Sequence, residues 1–106
     1  MAADKFWSML GIARKAGKVE SGAFAAEKAV RSGKAHLLIL AENASDNTKK
    51  HFHDLCVRFG VPLAAAGSDS DLGRALGQES RMVACVTDEG LAAAVSRLYA
   101  EQNVIR

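Results

Sequence analysis

The chain has 106 residues, 49% of them apolar and 25% charged, which suffices for one compact domain and is too short for two. A chain of this size buries roughly two thirds of its extended surface on folding, so one core can hold it without staples. Net charge is only +2, but residues 1–53 carry nine Lys and Arg against five Asp and Glu, while residues 54–106 carry five against seven.

No apolar run approaches the roughly 20 residues of a bilayer span, and the first residues lack a basic, then apolar, then cleavable pattern; membrane and secreted classes are set aside. Cys56 and Cys85 both lie inside apolar periodic segments, which predicts reduced core thiols and a cytoplasmic setting. Residues 1–106 are expected to form a single domain with a frayed tail at about 101–106.

In chain order, residues 4–15 form a helix capped by Asp4, with Phe6, Met9, Leu10 and Ala13 at helical spacing. Gly17 ends it, and residues 18–20 make a short strand. Ser21 caps a second helix that runs to Ser32 and is stopped by Gly33. Residues 36–41 hold the unbroken run Leu37, Leu38, Ile39, Leu40, the pattern of a central strand covered on both faces. Ser45 caps a third helix with a stripe of Thr48, Phe52, Leu55, Cys56 and Phe59, and Gly60 closes it.

Residues 61–66 read as a strand with Pro62 at its second position, where a missing donor is tolerated near a beginning or on an edge. Ser68 or Asp69 opens a short helix carrying Leu72, Ala75 and Leu76. Residues 82–87 form a further apolar strand. Asp88 caps a last helix with Leu91, Val95 and Leu98 on one side. Strict alternation of helix and strand predicts an α/β fold, a three-layer α/β/α sandwich round a four-stranded mixed sheet.

The second helix separates by chemistry. Ala23, Ala25, Ala26, Ala29 and Val30 form a small-residue face able to lie against the sheet, while Phe24, Lys28 and Arg31 follow i, i+4, i+7 on the other side. Gly22 at its start permits close approach to free backbone N–H groups at the positive end of the helix dipole. Arg14, Lys15 and Lys18 precede it and Lys34 follows, so residues 14–34 hold six cations against Glu20 and Glu27. Phosphate attraction beside an exposed ring matches what structured RNA requires. An ordinary amphipathic helix with a solvated basic face fits the same spacing.

The stretch Ala13-Arg14-Lys15-Ala16-Gly17-Lys18-Val19, then Gly22, Lys28, Ala29, Val30 and Gly33, with Val61-Pro62 and Asp71-Leu72-Gly73-Arg74-Ala75-Leu76-Gly77 in register, resembles the kink-turn-binding ribosomal protein family (the L-seven-Ae type). It is similar in particular to the small bacterial YlxQ-like branch, from about Lys5 to Val95. The resemblance implies an α/β/α sandwich that binds RNA with the start of its second helix and the loop before its last strand. The family motif there is Gly-Thr-Asn-Glu, two residues, then Lys. Gly22 and Lys28 match, but Ala23, Phe24 and Ala25 replace the three polar residues.

Neither Phe nor Ala makes base-edge hydrogen bonds, whereas a stacked base on Phe24 contributes about 1–3 kcal/mol with little sequence discrimination. The second loop is residues 77–81, with Gln78 and Arg81 available for phosphate or base contacts. RNA contacts are therefore expected from Arg14, Lys15, Lys18, Ser21, Gly22, Phe24, Lys28, Arg31, Lys34, Gln78 and Arg81. The expected partners are structured RNA, ribosomal or otherwise non-coding, together with ribosomal proteins; the chain is expected to act as a monomer. The alternative is a protein-interaction module that docks an acidic partner on Phe24 and its flanking cations.

Catalysis, a cofactor and a metal are not expected. His51 and His53 are two apart and point about 160° from each other on a helix, so one ion cannot take both. Cys56 belongs to the apolar stripe. Asp69 and Asp71 suit helix capping better than paired acid–base chemistry. There is no Gly-x-Gly-x-x-Gly or Walker-type phosphate loop. Trp7 is expected to pack beside the last helix.

Overall fold

The computed structural model describes residues 2–102. Its elements run α1 (Ala2–Lys15), β1 (Val19–Ser21), α2 (Ala23–Arg31), β2 (Leu37–Leu40), α3 (Asp46–Phe59), β3 (Leu63–Ala65), α4 (Asp69–Ala75), β4 (Val83–Val86) and α5 (Glu89–Gln102). The order β1-β4-β2-β3 makes a mixed sheet: β4 is antiparallel to both neighbours, while β2 and β3 are parallel. The predicted central strand is interior, and Pro62 precedes edge strand β3, where its missing N–H breaks no ladder.

Alternation along the two interior strands divides the core. Leu37 and Ile39 of β2, with Ala84 and Val86 of β4, face Phe6, Leu10, Leu72 and Val95. Leu38, Leu40, Val83 and Cys85 face Ala26, Val30, Phe52 and Leu55. Helices α1, α4 and α5 thus cover one side and α2 and α3 the other, the α/β/α sandwich expected from alternation. Among the described residues, no helix is long and apolar enough to cross a membrane.

Local chemistry explains the helix ends. Ser45 Oγ accepts from the Thr48 N–H at 3.1 Å, and Gly60 closes α3 at φ 69°. Ser68 and Asp71 form a reciprocal capping box on α4. The Leu91 N–H donates to Asp88 Oδ2 at 2.8 Å at the start of α5.

Several expectations need correction. The first helix begins at Ala2 and runs through residue 4, so Asp4 is not its cap. The first strand is Val19–Ser21, shifted one residue onward, and the cap of α2 is Gly22. The ladder with β4 continues through Ser21 and the Gly22 N–H donates to Val83 O at 2.9 Å, so the chain turns one residue later than a Ser cap requires. On α2, Ala26, Ala29 and Val30 are buried, but Ala23 is exposed and Ala25 half-buried.

Phe59 ends the α3 stripe 38% exposed, because the helix outruns the core. Trp7 lies over Gly67 in the β3–α4 turn; a Cβ there would come within 2.5 Å of the indole. Helix persists to Gln102; the rest of the expected frayed tail, residues 103–106, lies outside the described residues.

Candidate nucleic-acid interface

Strand directions gather four connections at one end of the sheet. β1, β2 and β3 run the same way and β4 runs against them, so the Ser21–Gly22 turn, residues 41–45, residues 66–68 and the loop 77–82 share a pole. Helices α2, α3 and α4 all start there with their positive dipole ends; Asp46 stands in the first turn of α3 and Asp69 and Asp71 in that of α4, whereas the first turn of α2 holds no acidic residue. Gly22 has φ 95° and ψ 156°, in a region only glycine enters without strain, and no side chain caps the α2 N-terminus.

Two contacts fasten the 77–81 loop at this pole, one to the Ser21–Gly22 turn and one to the start of α4. Arg81 Nε donates to Ser21 Oγ at 3.2 Å, and the Arg81 N–H donates to Asp69 O at 3.0 Å. The Arg14 guanidinium lies against Gly77, 3.1 Å from where a Cβ would stand. Gln78 is exposed, its N–H donated to Gly73 O at 2.8 Å. Arg81 is therefore brought to Ser21 beside Gly22, while Arg14 lies against the first residue of the loop that carries Gln78 and Arg81.

Phe24 is 83% exposed in the first turns of α2. It forms a ridge between two shallow depressions. On one flank Phe24, Lys28, Ser32 and Lys34 share a depression with Glu20; on the other, Glu27, Asn47, Thr48 and His51 line the groove between α2 and α3. An apolar ring held this far into water is costly on its own account, since burying it would release its hydration shell.

Arg31 is less free than its spacing predicts. Its Nε donates to Glu27 Oε2 at 2.9 Å, while Glu27 Oε1 meets His51 Nε2 at 2.8 Å. Hydrogen bonding from His51, then from Arg31, holds the Glu27 carboxyl below its ordinary value. Lys18 sits at the far end of β1, its carbonyl accepting from the Thr87 N–H. Lys15 is exposed at the end of α1 and makes no ion pair among the described residues. Neither lysine is drawn to the Gly22 pole.

The Glu27 clasp escaped sequence reasoning on its α3 side. Glu27 and Arg31 are i, i+4 and readable as a helix pair, but His51 is 24 residues away and reaches Glu27 only because α2 and α3 run side by side. The other reactive-looking groups are occupied or inert. His53 neighbours Asp54 at 3.5 Å. Burial pushes the Cys56 thiol up to about 11 and the Cys85 thiol up to about 12. Cys85 Sγ donates to Ala26 O at 3.5 Å. Asp71 serves the α4 cap, and Asp69 is tied to Asn43 by two 2.9 Å hydrogen bonds.

The model of the Ribosomal protein L7Ae/L30e/S12e/Gadd45 family matches residues 4–95. The RNA-binding protein YlxQ of Bacillus subtilis is 40% identical over 92 residues, covering 87% of this chain and 92% of that protein. The large ribosomal subunit protein eL8 of Cenarchaeum symbiosum is 34% identical over 82 residues, covering 76% and 65% respectively. Among solved structures, a Bacillus halodurans protein of unknown function superposes with TM-score 0.88 at 34% identity, covering 91% of this chain and 97% of that one. The Giardia lamblia 15.5kD RNA binding protein does so with TM-score 0.79 at 27% identity, covering 94% and 86%. With the family model spanning most of its length and relatives above 30% identity on either side of the bacterial–archaeal divide, the chain belongs to the ribosomal protein L7Ae/L30e/S12e/Gadd45 family.

Proposed function

We propose that this chain is a non-catalytic, monomeric RNA-binding domain that grips structured RNA in a ribosomal or ribosome-associated setting in the cytoplasm, with ribosomal proteins as neighbours. The observation that carries this reading is the uncapped N-terminus of α2 at Gly22, flanked by Phe24 and Lys28 and joined to the 77–81 loop by Arg81. Among relatives named as RNA-binding proteins, one shares 40% of its aligned residues with this chain and another shares its fold.

Gly22 admits a phosphate or base to the first-turn N–H groups, Lys28 supplies an ionic contact, and Phe24 a stacking surface. Arg14, Gln78 and Arg81 close the site from the loop, while Lys15, Lys18, Arg31 and Lys34 add longer-range attraction. Because Phe24 and Ala25 occupy the base-reading positions, affinity rests on stacking and charge more than on base edges.

The test is binding to a kink-turn RNA and to a plain duplex of equal length, each at two salt concentrations. Tighter binding to the kink-turn supports shape-selective recognition, and equal weak binding supports general RNA attraction. Absence of binding to both sinks the proposal and returns weight to Phe24 as a docking point for an acidic protein.

A further inference from the structure

At the end of α2 and α3 away from Gly22, two guanidiniums converge on one ring. Arg31 Cζ lies 5.8 Å and Arg58 Cζ 5.5 Å from the centroid of Phe59. This ring is 38% exposed. The carboxylates nearby are already engaged: Glu27 by Arg31 and His51, and Asp54 by Lys50 at 2.9 Å and by His53. Arg58 has no carboxylate partner among the described residues. Asp54, which lines the same depression, is turned to Lys50 and His53, so the Arg58 guanidinium is held by the ring with its edge free for a bidentate anion contact.

The position suits an extended occupant. Phe24 and Arg31 are seven residues apart on one helix, roughly 10 Å, with Lys28 between them on the same exposed side. The depression beside Phe24 continues past Glu27 and Lys28 to Arg31 and Ser32, and Arg31, His51, Asp54 and Arg58 line the next one; both carboxylates are already hydrogen-bonded to cationic or imidazole partners. A strand leaving the ring of Phe24 passes Lys28 and meets the Arg31–Phe59–Arg58 cluster.

We infer that this cluster is a second RNA contact, taking a phosphate and the adjoining base of an unpaired strand that extends from the RNA gripped at Gly22. Guanidinium planes and aromatic faces are what unpaired nucleotides stack on, and a single strand tolerates the curved path along two helices better than a duplex does. The inference rests on the RNA-binding reading of the Gly22 pole.

The test compares a blunt kink-turn RNA with the same RNA carrying a short oligouridylate tail on either end, by fluorescence anisotropy across a salt series. The tail on one end is expected to raise affinity on the order of tenfold and to steepen the slope of log K against log salt by about 0.7, one single-strand phosphate. Arg58→Gln is expected to abolish both gains and leave the blunt RNA unaffected; Arg58→Lys keeps the charge and restores the slope but not the full affinity. Phe59→Leu, whose folding is checked by its melting curve, is expected to lose part of the gain.

A tail that adds nothing at either end, or a gain that survives Arg58→Gln, overturns the second contact while the Gly22 reading stands. Failure to bind even the blunt RNA removes both.

Discussion

Gly73 of α4 and Gly11 of α1 play opposite roles in their helices. In α4, a Cβ on Gly73 would stand 2.6 Å from Ser80 Cα, 2.7 Å from Ser80 N and 2.9 Å from Glu79 C, all backbone atoms of the loop that carries Gln78 and Arg81. Carbon contacts ordinarily settle near 3.5–4.0 Å, so Gly73→Ala forces the loop back by about 1 Å. The substitution gains about 1 kcal/mol of helix propensity, loses about 1–3 kcal/mol to overpacking, and strains the hydrogen bonds from Gln78 and Arg81, worth about 1 kcal/mol each.

The balance is a destabilisation of about 1–2 kcal/mol, roughly 5–10 °C in Tm for a domain of this length. In α1, by contrast, a Cβ on Gly11 meets only Ala75 O at 3.5 Å, an ordinary contact, and Gly11→Ala is expected to raise Tm by a few degrees. Calorimetry on both variants, with RNA binding measured on Gly73→Ala at a temperature where it is folded, checks the pair. If Gly73→Ala melts higher than the parent, as Gly11→Ala should, the loop is not pressed on α4 and the account of that glycine is wrong.

Further outcomes concern the interface, the α4 cap and the thiols. Lys28→Ala should weaken RNA binding and reduce the salt slope by about one unit, whereas Phe24→Ala should cost about 1–3 kcal/mol of binding with an unchanged melting curve; an unmoved slope removes Lys28 from the interface. Glu27→Gln releases Arg31 from its carboxylate and should tighten RNA binding at low salt, measured by titration; weaker binding means the clasp itself is required. Ser68→Ala should lose about 1 kcal/mol of stability with its cap.

Hydrogen bonding from the Ser68 backbone N–H holds the Asp71 carboxyl below its ordinary value, so that stabilisation is present above pH about 4 and lost as pH falls through the lowered value. Asp71→Asn should flatten the acid limb of the stability profile. Last, with both thiols pushed far above neutral pH, alkylation of Cys56 and Cys85 at pH 8 should await unfolding, as mass spectrometry would show; rapid native labelling contradicts their burial.

Most of the architecture was legible because periodicity and punctuation agree in this chain. The run Leu37 to Leu40 announces a strand between two helical layers, and Ser45, Gly60, Ser68 and Asp88 mark helix ends where the structure has them. The start of α2 was misplaced because Ser is the stronger local cap, yet pairing with β4 holds Ser21 in the strand and gives its hydroxyl to Arg81. Phe59 fits the helical stripe but lies beyond the end of the sheet, which a periodic pattern does not reveal. The candidate cations were visible as composition. Their division into those at the Gly22 pole, those paired, and those at the opposite end depended on strand direction, which sequence spacing alone leaves open.

Strand β4 ties the two halves of the interface together. The 77–81 loop leads directly into it, and the Gly22 N–H closes its ladder with Val83 at the same end. β1 is an edge strand of three residues paired only with β4, so its amides belong to the part of the sheet most free to open. A ligand that bridges the turn and the loop clamps that opening from outside. Occupancy should register as slowed deuterium uptake along Val19–Ser21, in amides that themselves touch nothing bound.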